Sequence, residues 1–378
     1  MSRFFDLVSK PARDMRRPIL SGNAPVAIDR PPQLIKLDSN ENPFGPCTRA
    51  IDAMRETLAG TGSYPDDDCN LLRRKLAEHH EVQMEQVLVT AGSTALLGLL
   101  CQTLLEPGLN AVTSERSFIV YSMAVQAAGG HLIEVPMHDD GFDLEAILAA
   151  IDSNTRIVFI ANPNNPTGTM LESEMVDRFL ARVPSHVVVL LDEAYYEFAA
   201  HFATLRSVKY SNSLEYVRNG ASVVVLRTFS KAHGLAGVRV GYGLGPAELL
   251  GYCARMRNTF SVSSVAQAAA LAALDDHPHI QSVVENNAIQ SRDLSQGLLA
   301  LGYGVVPTSA NFVFCDLRED AANYADRLHK ESIAVRPLGS WGAPNCIRVT
   351  IGRPEQNRAF LRAASVLKSD AENRSASR

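Results

Sequence analysis

The chain is short of the features that would tie it to nucleic acid, a membrane or an oxidising compartment. Its formal charge is −5, so it lacks the basic surface that polyphosphate backbones and anionic lipids demand. No apolar run approaches the roughly 18 residues that a membrane helix needs. The six cysteines, at 47, 69, 101, 253, 315 and 346, include no Cys-x-x-Cys spacing, and several fall inside apolar stretches. That usage suits buried thiols in a reducing cytosol and gives neither a zinc site nor a disulfide framework. Near the amino terminus Arg3, Arg13, Arg16 and Arg17 are interrupted by Asp6, Asp14 and prolines, and the apolar core of a signal peptide is missing. Cytoplasmic placement and small-molecule partners are therefore expected, with no nucleic acid and no membrane.

What is present is enough apolar sequence for a large interior. With 378 residues, 46% of them hydrophobic, the chain exceeds the roughly 250 to 300 residues at which single cores stop growing, so two domains are expected. Residues 1–35 are rich in Pro and Arg and read as an irregular arm. Apolar strand patterns at Val87–Val89, Ala111–Thr113, His131–Pro136, Ile157–Ala161 and Val187–Leu191 alternate with amphipathic helical patterns. Such alternation predicts a mostly parallel sheet with right-handed crossovers. Beyond Arg239 the pattern changes to helices, the longest over Ile280–Leu301, and then to short strands at Gly304–Val306, Asn311–Cys315, Ile333–Arg336 and Ile347–Ile351. The expected division is an arm with part of a small domain over 1–46, a large domain over 47–262 and a small carboxyl-terminal α/β domain over 263–378. The polar tail, Lys368–Arg378, reads as disordered.

Several stretches carry chemistry. Ser222–Leu226 is an apolar run that ends in Thr228-Phe229-Ser230 and delivers Lys231 just past a predicted strand, the edge where open α/β sheets bind ligands. Eight residues on, Arg239 sits among Gly237, Val238, Val240 and Gly241, a setting that predicts a buried guanidinium with an anion beside it. A lysine, two hydroxyls and an arginine at this spacing suit pyridoxal 5′-phosphate, whose aldehyde joins an amine and whose phosphate needs donors. A plain strand, glycine turn and strand with two snorkelling cations fits the same residues. Thr90-Ala91-Gly92-Ser93-Thr94 opens a helix, so it can cradle a phosphate or simply cap that helix. Asn162-Pro-Asn-Asn-Pro-Thr-Gly168 holds more turn formers than a connection needs. Val187–Leu191 runs straight into Asp192, and a buried carboxylate must be paired or neutralised. Arg336 and Arg348 lie in apolar strands, placed either to meet substrate anions bidentately or to form structural ion pairs. Asp66-Asp67-Asp68 precedes a helix and favours capping over metal binding.

Four items in this order, Ser39-Asn-Glu-Asn-Pro43, Asn162–Gly168, Asp192-Glu-Ala-Tyr195 and Thr228-Phe-Ser-Lys231 through Gly234-Leu-Ala-Gly-Val-Arg239, resemble the fold-type I, class I/II pyridoxal-phosphate aminotransferases. The wording is closest to the histidinol-phosphate aminotransferase branch, over about residues 35 to 365. The resemblance implies a homodimer with a large cofactor-binding domain and a smaller α/β domain made from the chain termini. It implies transfer of an amino group from an amino donor to a 2-oxo acid, here L-histidinol phosphate and 2-oxoglutarate. It makes Lys231 the lysine that binds the cofactor and shuttles a proton, Asp192 the partner of the pyridine nitrogen, and Asn165 and Tyr195 the partners of the ring oxygen. By the same resemblance Gly92, Ser93, Thr94, Thr228, Ser230 and Arg239 hold the phosphate, Phe118 stacks on the ring, and Tyr64 reaches the phosphate of the partner subunit. Arg348, Arg336 and Asn40 become the substrate-binding set. Phe118 stands where many relatives have a tyrosine, Thr94-Ala95 replaces an acidic pair, and Arg336–Gly342 is of a kind also seen in relatives that accept aromatic amino acids. An aromatic or broad-specificity aminotransferase is therefore the alternative, and a lyase such as a phosphothreonine decarboxylase is a third reading on the same fold.

Overall fold

In a computed structural model of the chain, residues 8–15 and 34–376 are described. Most of the expected irregular arm lies outside them. Its described part carries a short helix, Lys10–Asp14, where Ser9 accepts from the Ala12 amide and Pro11 falls in the first turn. A capping serine and a proline in the first turn favour a helix start, which corrects the irregular reading at that point.

The first sheet has seven strands. They are β2 (Val87–Thr90), β3 (Asn110–Ser114), β4 (His131–Val135), β5 (Thr155–Ala161), β6 (Val188–Asp192), β7 (Val223–Thr228) and β8 (Gly241–Leu244). The order is β2-β8-β7-β6-β5-β3-β4, and only β8 runs antiparallel to its neighbours. The central strands β5, β6 and β7 are almost wholly buried, as expected of a parallel sheet covered on both faces, and so their sequences read as unbroken Val, Ile and Leu runs.

Helix Ser93–Leu104 packs on β7 and β8. Glycines decide how closely. A Cβ at Gly241 would stand 2.5 Å from the Ser93 amide nitrogen, and one at Gly243 would collide with Leu96. The Gly241-x-Gly243-x-Gly245 pattern is thus a close-packing device, which brings the amino end of that helix over the sheet.

The second sheet has five strands, in the order β1-β11-β12-β10-β9. These are β1 (Ile35–Leu37), β9 (Gly304–Val306), β10 (Phe312–Asp316), β11 (Ile333–Leu338) and β12 (Ala343–Thr350). β1, from the amino-terminal side of the chain, lies parallel to β11. A separate core of Leu37, Leu294, Tyr324, Phe360 and their neighbours fills this unit. Helix Ser264–Leu274, expected in the small domain, instead buries Ala266, Ala269, Ala270 and Ala273 in the larger core against helix Thr48–Thr57. We therefore place the change of unit after this helix and not at residue 263. The carboxyl-terminal helix runs from Pro354 to Ala376, past the expected end at Leu367. The disordered tail is corrected accordingly, because no proline or glycine follows Pro354 and the composition is that of a helix former.

Among the described residues no helix is long and apolar enough to cross a membrane, and no cluster of His, Cys, Asp or Glu is arranged to hold a metal. Asp66 accepts from the amides of Asp68 and Asn70, as a capping carboxylate does.

Candidate active site

The carboxyl ends of β5, β6 and β7 open on a cavity of about 350 Å³ that extends to β11, β12 and the segment after β1. β7 ends at Thr228, whose hydroxyl accepts from the Ser230 amide at 3.1 Å and donates to the Ser230 hydroxyl at 3.0 Å. This turn brings Lys231 into the cavity. Its amine donates to the carbonyls of Asn40 at 3.2 Å and Ser39 at 3.4 Å. Burial first, and then the positive field of Arg348, push the Lys231 ammonium down to about 7 against the pull of Glu41. Much of this lysine is therefore a free amine near neutral pH, as a nucleophile or base must be.

Asp192 ends β6 and is buried. Its carboxyl accepts from the Tyr121 hydroxyl at 3.0 Å and from the Ala194 amide at 3.2 Å. Burial raises its pKa to about 6, with the Tyr121 bond opposing. No cation is close enough to form an ion pair with it among the described residues, so the carboxylate is set to face a cationic partner supplied from the cavity.

The phosphate-type donors gather at another wall. Ser93 and Thr94, at the amino end of a twelve-residue helix, line the cavity with Thr228, Ser230 and Arg239. Arg239 corrects the sequence expectation, because it is exposed and not buried among valines. Its backbone is left-handed, φ 61°, which turns the side chain out to donate to the Ala236 carbonyl at 2.8 Å and the Ser230 hydroxyl at 3.3 Å. Gly92 lines no part of the cavity itself. It makes room, since at φ +87° any Cβ would collide with the Arg239 guanidinium. An exposed arginine over a helix amino end, with four hydroxyls alongside, can cradle a phosphate dianion.

The polar turn Asn162–Gly168 is buried, because its own side chains satisfy it. Asn162 exchanges bonds with Leu171, and Asn164 donates to the Arg116 carbonyl and the Thr167 hydroxyl. Held in this way, Asn165 points at Arg348, whose Nη1 donates to its Oδ1 at 2.6 Å. Tyr195 is buried, and its hydroxyl accepts from Asn40 Nδ2 at 2.9 Å. Burial pushes that phenol up to about 12, with Arg348 and Asn40 opposing. Phe118 and Trp341 also line the cavity.

Arg336 and Arg348 are directly opposite each other on β11 and β12, and both are buried. Like charges directly opposed across a ladder destabilise it unless an anion lies between or beside them. Arg336 has a carboxylate nearby, Asp38 at 3.6 Å. Arg348 has none within 4.0 Å among the described residues, and its Nε, although buried, finds no partner. Burial and Arg336 together hold the Arg348 guanidinium down at about 10, with Tyr195 and Asp38 opposing.

Of the residues singled out in the sequence, all but Gly92 and Tyr64 line this cavity. Tyr64 is 81% exposed and stacks on Phe260, with ring centroids 4.5 Å apart. Two residues that serve the site escaped the sequence reading. Tyr121 lies in an apolar helical run and stacks on Phe159, so its ring reads as core while its hydroxyl serves Asp192. Asp38 follows a strand of only three residues, Ile35-Lys36-Leu37, too short and mixed to mark the carboxylate as the apolar run before Asp192 does.

Residues 32–363 match the aminotransferase class I and II family. The chain is 44% identical over 333 residues to histidinol-phosphate aminotransferase 2 of Pseudomonas aeruginosa, a match covering 88% of this chain and 89% of that one. It is 42% identical over 368 residues to histidinol-phosphate aminotransferase 2 of Pseudomonas fluorescens, covering 96% and 98%. Its fold superimposes with a TM-score of 0.82 on histidinol-phosphate aminotransferase from Sinorhizobium meliloti in complex with pyridoxal-5′-phosphate, at 30% identity over 89% of this chain and 91% of that one. Two sheets of the order described, a part-buried amine and a buried carboxylate at the strand ends, and a match over most of the length lead to one conclusion: the chain belongs to the aminotransferase class I and II family.

Proposed function

We propose that this chain is a cytoplasmic, homodimeric, pyridoxal-phosphate-dependent aminotransferase that converts L-histidinol phosphate and 2-oxoglutarate to imidazole acetol phosphate and L-glutamate. The observation that carries the reading is one cavity uniting Lys231, Asp192 and the opposed pair Arg336 and Arg348. When bound, the cofactor supplies an electron sink for the pair left when substrate Cα loses its proton. Lys231 Nζ, with its pKa near neutrality, carries that proton away from Cα and returns it. The buried carboxylate of Asp192 would pair with the pyridine nitrogen and gain a cationic partner there. Ser93, Thr94, Thr228, Ser230 and Arg239 would hold its phosphate, and Phe118, Asn165 and Tyr195 would hold its ring. Arg348 and Arg336 take the substrate anion beside Asn40. The substrate assignment is supported by the relatives' names and by a paired-arginine wall suited to phosphate as well as carboxylate. Among the described residues every cysteine is a free thiol, in keeping with a reducing compartment.

The test mixes cofactor-loaded protein with L-histidinol phosphate, L-phenylalanine or L-glutamate separately and follows the visible absorbance through a single turnover. Conversion of the cofactor to its amino form by histidinol phosphate and by glutamate is the expected result. Conversion by phenylalanine and glutamate alone would move the chain to the aromatic aminotransferases, a reading that Phe118 and Trp341 in the cavity wall favour. No conversion with any of the three donors would favour the lyase reading or another amino donor.

A further inference from the structure

The substrate wall contains a third charge. Asp38 is buried at 4% exposure directly behind the opposed arginines. Its backbone carbonyl accepts from Arg336 Nε at 3.2 Å and from Arg348 Nη2 at 3.0 Å. Its carboxylate lies 3.6 Å from Arg336 Nη2 and accepts from the Ser39 hydroxyl at 2.9 Å. The backbone carbonyl alone would orient both guanidiniums. A side-chain carboxylate is not needed for that, yet here it sits in a buried place where an unneeded charge is costly. Its effect is on the net charge, because two guanidiniums and one carboxylate leave the wall at +1.

We propose that Asp38 is a specificity-determining residue, which compensates one of the two arginine charges so that one wall serves a phosphate dianion and a carboxylate monoanion with comparable strength. The proposal rests on the aminotransferase reading above, in which the phosphate of one substrate and a single carboxylate of the other occupy the same wall in alternate half-reactions. A wall of charge +2 would hold the dianion far more tightly than the monoanion, since Coulomb attraction in a partly buried site scales with the product of charges. Specificity between two ligands is a difference of affinities, and a repulsive group aimed at one of them is an established way to set it. Asp38 is placed to be that group.

The experiment compares wild-type, Asp38→Asn, Asp38→Ser and Asp38→Glu proteins, all loaded with cofactor. Binding of glycerol 3-phosphate and of butyrate, a carboxylate monoanion, is measured by calorimetry, and kcat/KM is measured for L-histidinol phosphate and L-glutamate. Either neutral variant is expected to shift the phosphate-to-carboxylate ratio by about tenfold or more towards phosphate, while Asp38→Glu keeps the wild-type ratio. Equal changes for both ligands in the neutral variants would overturn the proposal and leave Asp38 a purely structural residue. A shift towards carboxylate would overturn it as well. Two neutral variants of different size guard against the loss of one to misfolding. Failure of wild-type protein to turn over L-histidinol phosphate would sink the substrate assignment alone, because the glycerol 3-phosphate and butyrate ratio is read independently of turnover.

Discussion

Asp192 and Lys231 face one cavity, and each is held away from its ordinary protonation by burial, in opposite senses. The carboxyl is raised to about 6 and the ammonium is lowered to about 7. For Asp192 the folded-state value lies above the unfolded one, so the folded protein binds the extra proton between about pH 4 and 6. Its contribution to stability is therefore full below pH 4 and is lost as pH rises through 6. Asp192→Asn removes that loss and can still accept from Tyr121. Cofactor-free Asp192→Asn should be more stable than wild type at pH 7.5 by on the order of 3 kcal/mol, with the gain shrinking towards pH 4.5. Urea unfolding at both pH values measures it. Added cofactor should reverse the order at pH 7.5, because only the native carboxylate gains a pyridinium partner. A gain that is the same at both pH values, or one that survives cofactor, would mean that Asp192 faces no cation.

At the scale of elements, the approach of helix Ser93–Leu104 to β8 sets the phosphate cradle. Gly241→Ala would place a methyl 2.5 Å from the Ser93 amide nitrogen, against a backbone that cannot swing aside as a side chain could. We expect a loss of about 1 to 3 kcal/mol in stability, as for other overpacked sites, together with a weaker hold on the cofactor as the helix end is pushed from Arg239. Gly251→Ala, on an open helix face with nothing nearby, should cost neither and serves as the control; the readouts are the melting temperature and the cofactor Kd. The glycine triplet shows what the sequence could and could not tell. Its spacing is plain in the sequence, yet the close packing it permits depends on a helix about 150 residues away. Strands β5 to β7 were legible because a doubly covered strand must be apolar throughout. Asp192 was legible as the carboxylate that ends such a run. Arg239 was not, because exposure there follows from one left-handed residue and not from the apolar neighbours. The one-turn helix at Lys10–Asp14 and the reach of the last helix to Ala376 were missed for a related reason: weak local signals of capping and composition decide them, with no apolar stripe to announce them.

For the whole molecule, Tyr64 is the residue that one chain cannot explain. It stacks on Phe260, itself 43% exposed, and Met256 and Leu58 are exposed as well. An aromatic pair left open to water while every other singled-out residue lines or flanks the cavity fits a surface that meets a second copy. If Tyr64 donates to the phosphate in the neighbouring subunit, each site needs Lys231 from one chain and Tyr64 from the other. Tyr64→Ala should then weaken cofactor binding by about 10- to 100-fold, the range for a lost hydrogen bond to a charged group. Lys231→Ala should abolish turnover outright. Neither homodimer works well, but a mixed dimer of the two contains one site with both native residues. Co-expression of differently tagged chains, with isolation of the mixed species, should therefore recover about half of the wild-type activity per dimer at a cofactor concentration where Tyr64→Ala alone is mostly unloaded. Recovery no better than the average of the two parents would show that Tyr64 serves its own chain or none, and a fully active monomer in sedimentation would remove the need for a partner altogether.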